Sequence, residues 1–161
     1  AMKGFRLFLC VLLGALVAAG SAQADGSLDD DLDCRRVSAV GVGQDLGGGN
    51  TTATITRDGL LKGTTAAHFD ITGGAPPELT FTGTVVFTTK RGTLTVSIAG
   101  TFNVATGAFA ATGPVTGGTE AFAGASGSLS FAGVEDLTTG RFTETVTGTV
   151  CLADDGDDDD D

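Results

Sequence analysis

From residue 78 to residue 104 the chain alternates between apolar and hydroxyl side chains. In "ELTFTGTVVFTT", Leu79, Phe81, Val85 and Phe87 share one parity, and Thr80, Thr82, Thr84 and Thr88 the other. After "KRG", the run "TLTVSIAGTFNV" repeats the scheme, with Leu94, Val96, Ile98, Phe102 and Val104 opposite Thr93, Thr95, Ser97 and Thr101. Successive side chains point to opposite faces only in extended chain, so this spacing predicts two half-buried strands joined by a tight turn. "ATG" at 105–107 predicts the next turn, with Gly107 free to take a positive φ. Shorter candidate strands at 37–43, 51–56, 60–71, 108–115, 128–132 and 141–152 bring the total to about eight. Past the N-terminal leader no segment sustains a helical period. Threonine is abundant, and its branched β-carbon suits a pleated surface. The chain reads as all-β, an antiparallel barrel or sandwich.

Glycine recurs in mid-strand in "FTGTV", "IAGTF" and "VTGTV", at Gly83, Gly100 and Gly148. Glycine normally weakens a strand, and sheet curvature is the physical reason to keep it there. A β-solenoid with threonine ladders would need one fixed period. These glycines are 17 and 48 residues apart, which favours a barrel over a solenoid.

The first residues read as a signal peptide. Lys3 and Arg6 precede an apolar run at 7–19, and "SAQA" at 21–24 supplies the small-x-small cleavage pattern. The expected organisation is a signal peptide at 1–24, an acidic disordered lead at 25–33, a barrel domain at 34–152 and an acidic disordered tail at 153–161. The mature chain is expected to be secreted, extracellular or periplasmic. Without residues 1–24 it carries 7 basic and 20 acidic side chains, a net charge of −13. That charge disfavours nucleic acid and anionic membrane surfaces as partners of the mature form. The aspartates of the tail read as a solvated run, since flexible carboxylates lack the fixed geometry of a tight Ca²⁺ site.

Cleavage leaves two cysteines, Cys34 and Cys151, one at each end of the folded region. An even pair in an exported chain predicts a disulfide. No histidine lies near either in sequence, so a catalytic thiol has no base beside it.

Few residues carry chemistry. The glycine-rich stretch "GPVTGGTEAFAGASG" has neither the following helix nor the lysine of a phosphate loop. His68, the one histidine, shares a strand face with Asp70, the pattern of a surface pair or of an oriented base. A single histidine argues against zinc, and neither a cofactor nor a metal is expected. Asn50-Thr51-Thr52 is a glycosylation sequon. Glu144 is the anomaly. In "RFTETVTGTVCL" it shares the apolar parity of Phe142, Val146 and Val150. A carboxylate aimed into a core needs a partner, a ligand or water. Arg91 and Arg141 are the candidate partners. A rim position, or a bulge that turns Glu144 outward, is the structural alternative.

"GTFNVATGAFAATGPVTGGTEAFAGASGSLSF" (100–131) resembles the allene oxide cyclase and dirigent superfamily, its secreted bacterial members most of all. The family pattern is a strand, a Thr-Gly turn, a second strand and a "GGTG-x-F-x-G-A-x-G" link, with Glu120 standing here where glycine is commoner. The resemblance implies an eight-stranded antiparallel closed barrel whose lumen, in some relatives, holds a small hydrophobic molecule. Plant members include a cyclase acting on a fatty-acid epoxide and proteins that steer phenoxy-radical coupling.

Three functions follow as expectations. The first is non-catalytic binding of a small hydrophobic molecule in the lumen, with Glu144, Phe142, Val146, Phe87, Phe102 and Phe131 as the ligand-binding residues and Phe122 as a plug. The second is a structural or surface protein whose threonine-rich outer face contacts other copies of the chain, as a homo-oligomer, or a wall or ice. The third is an isomerase of the allene oxide cyclase type.

Overall fold

A computed structural model of the chain describes residues 32–153. The signal-peptide reading of 1–24, most of the acidic lead and nearly all of the acidic tail fall outside those residues. The first strand begins at Asp33, which pairs with Leu152 and whose carboxylate accepts hydrogen bonds from Arg35.

Eight antiparallel strands close into a barrel in chain order: β1 (Asp33–Gly47), β2 (Asn50–Thr56), β3 (Gly63–Ala75), β4 (Glu78–Thr89), β5 (Gly92–Asn103), β6 (Ala108–Gly118), β7 (Ser126–Asp136) and β8 (Arg141–Leu152). Each strand pairs with its sequence neighbour, and β8 returns to β1 from Asp33↔Leu152 to Gln44↔Arg141. Closure leaves no unpaired sheet edge. Cys34 and Cys151 sit opposite each other on this closing pair and are joined by a disulfide. Within β4 the alternation behaves as read: Phe81, Val85 and Phe87 are buried, while Thr80, Thr82 and Thr84 face outward.

The two ends of the barrel differ. At the end that carries the disulfide, two connections fold inward and close it. The β2–β3 turn buries Leu60 and Leu61, where strand had been expected from residue 60. The Asp58 carboxylate holds this turn by accepting the backbone N–H groups of Leu60 and Leu61, each at 2.8 Å, and of Ser38. The β6–β7 connection makes one 3₁₀ turn (Glu120–Phe122) and lowers Phe122 into the core, where it is fully buried. Burial of one phenyl ring contributes roughly 2–3 kcal/mol. Leu94, Val96, Leu129, Val146 and Val150 pack the barrel beneath these plugs.

At the other end the β1–β2, β3–β4, β5–β6 and β7–β8 connections stay at the rim. Gly107 takes φ 75° in the β5–β6 turn, as "ATG" predicts. Val104, expected as the last inward residue of β5, lies in that turn and is exposed.

Candidate functional site

The open half of the barrel has small residues at inward positions. Gly41 and Gly43 on β1, Ala67 on β3, Ala111 on β6 and Gly133 on β7 stand where the closed half carries Val, Leu and Phe. An eight-stranded barrel is either just filled by side chains or holds one small ligand, and inward residue size decides which. Here the open half encloses a cavity of about 490 Å³ that opens at the rim. That lies within the size range of small-molecule sites.

Two unlike walls face each other across this space. Phe69 on β3, Phe81 on β4, Phe102 on β5 and Phe109 on β6 form an aromatic wall, with Phe131 and Phe142 completing the ring set. Phe69 meets Phe81 edge to face with centroids 5.3 Å apart, and Phe109 meets Phe142 in the same way at 5.9 Å. Such pairs hold ring orientations beyond simple area burial. Some inward glycines make room for these rings. A β-carbon on Gly83 would stand 2.6 Å from Cδ1 of Phe69, and one on Gly133 would stand 2.5 Å from Cζ of Phe109. Curvature is therefore only part of the reason for mid-strand glycine.

The opposite wall, built by β7, β8 and β1, carries Asp45, Glu135 and Glu144. Glu144 is deepest. It pairs with Gly41 on β1 and Gly133 on β7, with no register shift on either side, so no bulge turns it outward. Burial alone pushes its carboxyl up to about 7, with no hydrogen bond or neighbouring charge offsetting that cost. Glu135 is raised as well, first by burial and then by the charge of Asp45. Neither Arg91 nor Arg141 reaches Glu144. Among the described residues the ion pairs are Arg35–Asp33 and His68–Asp70.

Of the residues expected to bind a ligand, Glu144, Phe142, Phe102 and Phe131 line the cavity. Phe87 and Val146 do not reach it. Both are completely buried in the packed half, Phe87 stacked on Phe131 at 6.2 Å. Sequence reading missed Asp45, Glu135, Phe69, Phe81 and Phe109 as wall residues. Asp45 and Glu135 fall beyond the expected strand ends at 43 and 132, and parity cannot assign a residue outside a strand. Parity marks Phe81 and Phe109 as inward, Phe109 in step with the buried Ala111, but it does not say which half of the lumen a ring enters.

His68 and Asp70 sit on the outer surface. His68 Nε2 lies 3.7 Å from the Asp70 carboxylate, its Nδ1 is 3.0 Å from Asn50 Oδ1, and both acid and imidazole are solvent-exposed. This is the surface pair of the two readings. Compared with family models, curated proteins and solved structures, the chain matches none.

Proposed function

We propose that the protein binds a small hydrophobic molecule in the open half of its barrel without transforming it. The observation that carries this reading is the aromatic cavity of about 490 Å³ in a barrel whose other half is packed solid. A domain of this size gains stability from filling its core, so an unfilled apolar half stands against stability alone as its purpose. The eight-stranded barrel supports the resemblance of residues 100–131 to the allene oxide cyclase and dirigent superfamily. The Cys34–Cys151 bridge supports export to an oxidising compartment.

The test is a solvatochromic neutral probe such as N-phenyl-1-naphthylamine, titrated into the purified protein. Enhanced, saturable fluorescence is expected from the wild type. It should be lost in Ala111→Phe, which fills the lumen from β6, with the far-UV CD spectrum retained. Equal enhancement in both proteins would place the probe on the surface and overturn the reading.

A second reading, a structural surface protein, draws on the outer face. Thr82, Ala99, Thr112, Ser130, Thr147 and Ser38 pair in sequence from β4 round to β1, a row of small uncharged side chains across six strands. The row follows the curve of a closed barrel, which suits contact between subunits better than a flat ladder against ice.

A further inference from the structure

We propose that the lumen selects hydrophobic cations, so that its ligand is an amine carried on an apolar body, its ammonium against the β7–β8–β1 wall and its body against the phenyl rings. This inference rests on the ligand-binding reading above and names the chemical class that the same cavity takes.

The sign of the wall carries it. Every ionisable side chain lining the cavity is acidic, and among the described residues no lysine, arginine or histidine lines it. Asp45, Glu135 and Glu144 run along one side from the rim inward, while Asp70 borders the cavity from β3 with its carboxylate exposed beside His68. A fatty acid or other organic anion entering this space would lose water and meet only like charge, an effect that excludes wrong ligands strongly in a low-dielectric site. A neutral ligand would leave the carboxylates without a counter-charge. An ammonium supplies that charge and donates hydrogen bonds to groups that, when ionised, can only accept them.

The rest of the lining agrees in kind. Six phenylalanines supply ring faces, and no tyrosine or tryptophan exists in the chain to offer a polar handle. Ring faces attract cations, most strongly where water is excluded. The cross-strand neighbours of Glu144 are both glycine: the carboxyl itself occupies the space over Gly41 and the Phe109 ring the space over Gly133, so acid and ring stand at neighbouring positions on the lumen side of the sheet.

The test is a matched series of three probes with one apolar body: 2-naphthylmethylamine, 2-naphthylmethanol and 2-naphthylacetate. Each is titrated calorimetrically into the full folded protein at about pH 8. The amine is expected to bind about tenfold tighter than the alcohol or better, the scale of one charge-assisted contact, and the carboxylate weakest of all. In Glu144→Gln and Glu135→Gln the amine's advantage over the alcohol should shrink while alcohol affinity holds, a pattern that simple loss of the fold would not produce. If the alcohol or carboxylate binds as tightly as the amine, cation selection is overturned and the apolar cavity stands. An amine advantage unchanged in both variants overturns the assignment to this wall. If none of the three binds, the ligand-binding reading falls with it.

Discussion

Gly41 and Glu144 face each other across the β1–β8 seam, and the carboxyl occupies the space that a side chain on Gly41 would need. A β-carbon at Gly41 would stand 2.7 Å from Glu144 Oε1 and 2.8 Å from its Cγ. Glycine is kept here for room, since the pairing on both sides is regular. Gly41→Ala should therefore destabilise the fold by ~1–3 kcal/mol through overpacking. In the Glu144→Ala background the same change should cost less than ~1 kcal/mol. Urea denaturation of the four proteins in this cycle checks it, and additive effects would show that the two residues do not compete for space.

Glu144 should also set a pH dependence of stability. Its folded-state value of about 7 lies above the 4.5 of an unhindered glutamate. The stability tied to its proton is thus full below about pH 4.5 and is lost as pH rises through 7, because the unfolded chain ionises first. At one pKa unit per 1.36 kcal/mol the loss approaches ~3 kcal/mol. Glu144→Gln cannot ionise, so its stability relative to wild type should grow by up to ~3 kcal/mol between pH 4.5 and 8. Parallel pH profiles for the two proteins would contradict this.

In the β6–β7 connection Glu120 adopts φ 54°, a left-handed conformation that favours glycine. Glu120→Gly should relieve that cost and raise stability by ~0.5–1 kcal/mol, a few degrees in Tm. Glu120→Ala keeps the β-carbon and should bring no such gain. Thermal melts of the two variants, followed by CD, separate backbone relief from loss of the glutamate side chain.

The Cys34–Cys151 bridge closes a span of 117 residues on the closing strand pair. Cross-linking so long a loop stabilises a fold by roughly 4–5 kcal/mol in the chain-entropy model. Replacing both cysteines with serine should lower Tm by about 15–20 °C for a domain of this size. The barrel should persist at room temperature. A Tm that does not change on reduction of the wild type would show that β1–β8 pairing holds the termini without the bridge.

The sequence by itself determined the secondary structure, because strand parity is a local property. "ELTFTGTVVFTT" declares its inward face through Phe81, Val85 and Phe87, and β4 spans those same twelve residues. The terminal cysteines likewise declared their disulfide, and Glu144 was marked as inward by its apolar neighbours. Strand ends were less legible, since residues such as Asp45 and Glu135 break the alternation they belong to. Only the tertiary structure decided which half of the barrel is filled. Phe87 and Phe102 each fall on the inward face of their own strand and carry the same side chain, yet one is packed solid and the other borders a cavity. The difference comes from what closure brings across the lumen: Phe122, Leu60 and Leu61 fold in at one end, while Gly41, Gly43 and Gly133 leave the other open. Closure also gathered Asp45, Glu135 and Glu144 from three strands onto one wall, a non-local arrangement that no short window of sequence contains.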